Sequence, residues 1–175
     1  MRLRAPKHRH GNRMEYYDMQ TPATRFLDSK KISYKTYEYE CNGAKHDFGH
    51  IAANELNRDQ NEVFKTLLIH HEKTYITAVI PVNCNLNLKN AARIAGVKNA
   101  EMVKPEDAER LTGYVCGGIS PFGQKRRTVT ILAASALGLP EILVSGGRRG
   151  FSVGLSPADL ISALGALTGD ITEPQ

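Results

Sequence analysis

Among the charged residues of this chain, Lys65 has the setting best suited to chemistry. In an extended Phe64-Lys65-Thr66-Leu67-Leu68-Ile69 segment, Phe64, Thr66 and Leu68 point one way and Lys65, Leu67 and Ile69 the other. Both faces of such a strand are apolar. A lysine sharing a face with Leu67 and Ile69 either lies near an edge with its ammonium snorkelling to water or is held in a pocket for a reason.

Two glycine-rich segments are the next candidates. In Gly117-Gly118-Ile119-Ser120-Pro121-Phe122-Gly123-Gln124-Lys125, paired glycines followed by a proline let the backbone pass close to a ligand and aim N–H groups at it. The interval from Gly118 to Gly123 resembles that of a phosphate-binding P-loop, but Gln124 stands where that motif requires lysine, so an ATPase is not indicated. Without a ligand, the same segment reads as a tight loop between strands. Ser145-Gly146-Gly147 follows the apolar run Ile142 to Val144, and either offers a small hydroxyl to a pocket or makes an ordinary hairpin turn.

Other chemistries find less support. His46 and His50 are four apart, but Phe48-Gly49 between them argues against a helix that would align the two rings on a metal. His70-His71 ends a strand and is expected to turn into solvent. There is no G-x-S-x-G elbow, and a Ser-His-Asp set cannot be inferred from distance along the chain. Gly147 and Gly150 lack the preceding glycine that a dinucleotide fingerprint needs.

These residues need elements to position them. Thr21-Pro22 reads as an N-cap followed by proline at the first helical position, opening a short amphipathic helix over residues 22–30. Ile32 to Tyr39 reads as a strand ending at the turn Asn42-Gly43, and a second short helix is expected around residues 49–57. Val63 to His71 and Thr74 to Val82 form a hairpin across Glu72-Lys73. Asn87 caps a helix that stops at Gly96, and Pro105 to Leu111 forms another that stops at Gly113. Thr128 to Leu132, Glu141 to Val144 and Phe151 to Leu155 read as strands, the last two joined by a turn through residues 146–150. Ser156-Pro157 then starts a helix reaching about Leu167. Hairpins and short helices without βαβ alternation predict an α+β domain on a mixed, largely antiparallel sheet.

The formal charge is +5, but Arg2, Arg4, Lys7, Arg9 and Arg13 lie within the first thirteen residues, where no acid occurs. Subtracting those five from 23 leaves 18 basic residues against 18 acidic ones, so the body is formally neutral. Nucleic-acid contact by the body must therefore come from local clusters, Lys125-Arg126-Arg127 and Arg148-Arg149, which by themselves also read as solvated loops. Residues 1–20 show no apolar periodicity and are expected to be a disordered extension to a single domain over residues 21–175. Three widely spaced cysteines, Cys41, Cys84 and Cys116, suggest neither a disulfide framework nor a zinc site, and fit a reducing compartment. No apolar stretch approaches the ~18 residues of a membrane span, so a cytoplasmic protein without a membrane partner is expected.

Read together, Phe64 to Leu68, Leu86-Asn87-Leu88-Lys89, Gly113-Tyr114, Gly117 to Lys125 and Val144 to Gly150 resemble, in order and spacing, the YbaK/EbsC family of Cys-tRNA(Pro) deacylases. The resemblance runs from about Thr21 to Asp170. It implies the compact, barrel-like α+β fold of the editing domain associated with bacterial prolyl-tRNA synthetases. It also implies removal of cysteine mistakenly attached to proline tRNA, with Cys-tRNA(Pro) as substrate and prolyl-tRNA synthetase as a transient partner.

By position, Lys65 matches the family's essential lysine and Gly117 and Gly118 its glycine loop. Tyr37 and Phe48 match its aromatic pocket residues, Ser145 matches its pocket serine, and Asp159 lies in the matching C-terminal helix. The resemblance further implies substrate assistance, the cysteine thiol attacking its own ester, so that no protein nucleophile, cofactor or metal is required. Two alternatives stay open: an Ala-tRNA or other small aminoacyl-tRNA deacylase of the same fold, and a non-catalytic tRNA- or synthetase-binding module.

Overall fold

The computed structural model describes residues 20–175 together with a two-residue strand, β1 (Leu3–Arg4). The expected disorder of residues 1–20 falls, apart from β1 and Gln20, outside the described residues.

Helix α1 (Pro22–Ser29) begins as its residue types dictate. The Thr21 side chain accepts from the Thr24 N–H and the Thr24 hydroxyl accepts from the Thr21 N–H, so two otherwise orphaned amides are satisfied reciprocally. Ala23, Thr24 and Leu27 form its buried side. Strand β2 (Lys35–Glu38) follows, then α2 (Phe48–Glu55). The hairpin of β3 (Phe64–His71) and β4 (Thr74–Pro81) turns through Glu72 and Lys73, with Glu72 at φ 51°.

The short strand β5 (Cys84–Leu86) leads into α3 (Leu88–Ala95), capped by Asn87 and ended by Gly96 in the left-handed region. Next come β6 (Glu101–Met102), α4 (Pro105–Thr112), and β7 (Val129–Ala133), which runs into a 3₁₀ turn over Ala134–Gly138. Strands β8 (Ile142–Arg148) and β9 (Phe151–Leu155) form a second hairpin. Helix α5 (Pro157–Leu164), β10 (Leu167–Gly169) and β11 (Thr172–Pro174) complete the chain.

The strands make a four-stranded sheet ordered β1-β2-β9-β8, a five-stranded sheet ordered β10-β7-β4-β3-β6, and the pair β5-β11. β2-β9, β8-β9 and β3-β4 are antiparallel, whereas β4-β7 and β7-β10 are parallel. The two large sheets meet where Val63 bridges Leu143 in parallel sense and the Leu143 N–H donates to the Glu62 carbonyl at 2.9 Å. The result is an α+β fold in which this contact joins the two large sheets. It differs from the barrel-like expectation in one respect: among the described residues no pairing joins the β1-β2 edge to the β10 edge, so the layer stays open.

The main core draws on both faces of the five-stranded sheet, as Ala78, Val79 and Ile80 of β4 show, and adds Ile142, Val144, Phe151 and Val153 from the four-stranded sheet, Ala23 and Leu27 from α1 and Phe122 from the glycine-rich loop. A smaller cluster, Ala52, Ala53, Val63, Val82 and Leu143, lies on the reverse face of the junction, where α2 covers it. No helix among the described residues is long and apolar enough to cross a membrane.

Two element boundaries depart from the sequence expectation. The last helix stops at Leu164 because Gly165 adopts φ 60°, releasing Leu167 to pair with Ile131 of β7. The β8-β9 turn is also tighter than residues 146–150: β8 continues through Gly146 and Gly147 to Arg148 across a bulge that begins after Ser145.

Candidate active site

Strand register assembles the candidate site. Side chains directly opposed on neighbouring strands share a face, and so do residues two apart on one strand. Tyr37 opposes Ser152, and Ser152 opposes Ser145. Two residues before Ser145, Leu143 is bridged to Val63, and two residues after Val63 comes Lys65. Lys65, Ser145, Ser152 and Tyr37 therefore fall along one line across β3, β8, β9 and β2, on the face that α2 covers.

Lys65 is half-buried, and burial pushes its ammonium pKa below the ordinary lysine value, partly offset by the neighbouring Cys84 thiol. No described carboxylate balances that charge. A cation held partly out of water without a protein anion suits an anionic or strongly polar ligand. The Ser145 hydroxyl accepts from the Gly147 N–H at 3.2 Å, which holds it at the bulge.

Tyr37 lies on this face but its hydroxyl is engaged elsewhere, donating to Glu141 at 3.1 Å, while Arg58 donates to the same carboxylate at 3.0 Å and to Glu62 at 3.0 Å. With neighbouring strands roughly 4.8 Å apart, Tyr37 is some 14 Å from Lys65. Tyr39, two residues on, is the tyrosine that reaches inward. It packs on the Ala52, Ala53, Val63, Val82 and Leu143 cluster and hydrogen-bonds Ser152, and burial pushes its hydroxyl pKa up. Both Tyr39 and Ser152 were absent from the sequence-based set. Their only signal was alternation, Tyr39 sharing a face with Tyr37, and nothing in the sequence said which hydroxyl turns to Glu141 and which to Ser152.

The glycine loop closes one side. Gly117, at φ 86°, lies against the Phe48 ring at the start of α2, so closely that a Cβ there would overlap the ring. A Cβ on Gly118 would sit 2.7 Å from Cα of Arg148 and 2.9 Å from N of Arg149, so this loop and the β8-β9 turn touch backbone to backbone. The Arg149 guanidinium lies 4.7 Å from the Phe48 ring centroid, and its Nε–H donates to the Cys116 carbonyl at 2.9 Å. Phe48, Gly117, Gly118 and Arg149 are thus brought together, with Arg148 directed to Glu38 at 3.7 Å.

Tyr114 braces this arrangement: its ring lies against Gly147, and its buried hydroxyl donates to the Phe122 carbonyl at 2.6 Å. Tyr114→Phe is expected to cost about 1–3 kcal/mol in urea denaturation, because it leaves a buried carbonyl without its donor.

Three expectations lie away from this face. Asp159 sits in the first turn of α5, where its N–H donates to the Ser156 hydroxyl at 3.1 Å. That turn follows Leu155, at the far end of β9 from the turn beside Ser145. Lys125, Arg126 and Arg127 are exposed, and Arg126 lies 4.7 Å over the Tyr75 ring near the distal tip of the β3-β4 hairpin. His70, expected in solvent, is instead only partly exposed, stacked on Tyr75 and 3.3 Å from Glu101. The edge strand β6, which the sequence reading had not anticipated, brings Glu101 opposite it.

Comparison with known proteins bears on the fold and the family. The family model for the aminoacyl-tRNA editing domain matches residues 50–163, well over half of the chain. The chain is 37% identical over 153 residues to EbsC of Enterococcus faecalis, a proposed Cys-tRNA(Pro)/Cys-tRNA(Cys) deacylase, with 87% of this chain and 93% of that protein aligned. A crystal structure of a proposed trans-editing enzyme for prolyl-tRNA synthetase superposes with TM-score 0.75 at 23% identity, covering 89% of this chain and 99% of that one. A second crystal structure, of a hypothetical protein, superposes with TM-score 0.78 at 23% identity over 87% of this chain and all of that one. At that identity these two likenesses speak to fold. The family match and the relative sharing more than a third of its residues speak to ancestry, and the chain belongs to the aminoacyl-tRNA editing domain family, enzymes that hydrolyse the ester between an amino acid and tRNA.

Proposed function

We propose that this protein is a trans-editing deacylase that clears cysteine from Cys-tRNA(Pro) in the cytoplasm, meeting its substrate in transient association with prolyl-tRNA synthetase. The observation that carries this reading is the half-buried Lys65, without a carboxylate partner among the described residues, in line with Ser145 and Ser152, together with a loop whose glycines pack against Phe48 and the Arg148-Arg149 backbone.

An aminoacyl ester is already activated, so the protein need mainly position it and stabilise charge on its carbonyl oxygen. In this proposal the glycine-loop amides approach that oxygen. Lys65 holds the terminal phosphate, the ribose, or a polar group of the ester, and does not act as a base. Phe48 and Tyr39 wall the small side chain, and Ser145 and Ser152 offer hydroxyls to its polar atoms. Arg148 and Arg149 lie where the incoming RNA backbone would pass, and Asp159 is assigned no contact with substrate.

The nucleophile is the substrate's own thiol. Its sulfur attacks the ester carbonyl carbon, the C–O bond to the ribose breaks, and the thiol proton ends on the released ribose hydroxyl, leaving a four-membered thiolactone that water opens to cysteine. This route spares esters without a thiol. In a panel of Cys-, Ala-, Ser- and Pro-tRNA(Pro), cysteine release is expected to exceed alanine release by about 100-fold or more, since an attached nucleophile gains a large effective concentration. Equal rates on Cys- and Ala-tRNA(Pro) would transfer the assignment to a general small-residue deacylase. No ester loss at all, with tRNA still bound, would leave a binding module.

A further inference from the structure

The chain carries a second basic and aromatic feature outside the site. Arg126 lies flat over Tyr75 at 4.7 Å, and Tyr75 stacks on His70 with ring centroids 5.8 Å apart and planes 26° from parallel. The three layers are presented firmly: the Lys125 and Arg126 amides donate to Thr112 and Leu111 carbonyls at 3.0 and 2.9 Å. Arg126 is nevertheless exposed, as are Lys125, Arg127 and Lys73 at the adjacent hairpin tip. Two carboxylates share the area. Glu101 is held by His70 at 3.3 Å, while Glu72 is exposed and offers its main-chain carbonyl to His70.

We infer that Arg126, Tyr75 and His70 form a stacking ledge for the RNA body of the substrate beyond its esterified 3′ end, an inference that rests on the deacylase reading above. A guanidinium already laid on an aromatic ring keeps its second face for a base and its edge N–H groups for phosphate, with little further ordering to lose. The surrounding lysine and arginine side chains supply the sequence-independent attraction that RNA backbone provides for.

Position favours the body of the RNA over its terminus. Lys65 and His70 are five residues apart on β3, about 17 Å, and they project from opposite faces. That span alone is roughly five nucleotides at ~3.4 Å each and the change of face adds to it, so the ledge lies within reach only of RNA inward of the terminal nucleotides when the ester is at Lys65. The segment Gly117–Arg127 links the two places directly, beginning against Phe48 and ending over Tyr75.

The test compares full-length Cys-tRNA(Pro) with 3′-O-cysteinyl adenosine, which has the ester but no RNA body. Arg126→Ala is expected to raise the ratio of the two KM values about 5- to 10-fold, with kcat on tRNA unchanged, and to lower the salt dependence of tRNA binding by about one unit of log–log slope. Arg126→Lys, which keeps the charge but not the planar face, should recover only part of the loss. Arg93→Ala, exposed on α3, serves as the control for removal of any surface cation. An unchanged KM ratio for Arg126→Ala, or full recovery by lysine, would overturn the ledge. If the wild-type chain released cysteine from neither substrate, the deacylase reading itself would fail, and binding of uncharged tRNA(Pro) to wild type and Arg126→Ala would still decide the ledge.

Discussion

Lys65→Ala lowers kcat/KM on Cys-tRNA(Pro) by about 100-fold or more, the scale expected when a preorganised charged donor is withdrawn from a partly desolvated site. The protein remains folded. The ammonium has no described anionic partner, and its partial burial already disfavours the charged form, so its removal breaks no ion pair. Urea midpoints of wild type and variant should therefore lie close together while the rates separate. Full activity in the folded variant would remove this residue from the mechanism.

The same group gives a signed pH dependence. Burial lowers its pKa from the ordinary lysine value of 10.5. Affinity for a non-hydrolysable cysteinyl-adenosine analogue should thus fall, as pH rises, earlier than an ordinary lysine would allow, since the charged form makes the contact. Stability moves the other way. Between the folded and unfolded pKa values the unfolded chain binds more protons, so this residue's contribution to unfolding free energy increases with pH across that window. Lys65→Ala should lose both trends, which calorimetric titration and pH-dependent denaturation can follow.

The second large effect is expected at Gly118. An added Cβ meets Cα and C of Arg148 and N of Arg149 at 2.7–2.9 Å, and none of these backbone atoms can rotate aside. Gly118→Ala must push the glycine loop off the β8-β9 turn. A displacement near 1 Å at a positioning element costs on the order of 100-fold in rate, and the overpacking should cost about 1–3 kcal/mol of stability. Gly117→Ala differs because its obstruction is the Phe48 ring, which can swing, although φ 86° adds backbone strain. Gly138→Ala, with nothing within 4 Å of the new Cβ, is the neutral reference. Gly118→Ala that matched this reference in both rate and urea midpoint would show that the two backbones need not touch.

Much of the local structure could be read from residue types because it depends on near neighbours. Thr21-Pro22, Asn87, Gly96, Gly113 and Ser156-Pro157 satisfy or end helices through contacts a few residues long, and each bounds a helix as expected. The β3-β4 hairpin was legible for the same reason. The strands β5, β6, β10 and β11 were not, since each has two or three residues and exists only through pairing with a distant segment, as Leu167 does with Ile131. That the strand layer stays open likewise depends on which strand edges remain unpaired among the described residues.

For the site, the sequence by itself determined the chemical inventory: a lysine on an apolar strand, paired glycines able to approach backbone, and a serine before a glycine turn. Tertiary structure alone decided which of these share a face. Strand alternation makes Tyr37 and Tyr39 equivalent until register aligns one strand with the next. The single bridge between Val63 and Leu143, with sheet pairing beyond it, then puts Lys65, Ser145 and Ser152 in line while Tyr37 turns to Glu141 and Tyr39 turns inward. Register is a property of contacts some eighty residues apart, and no local pattern encodes it.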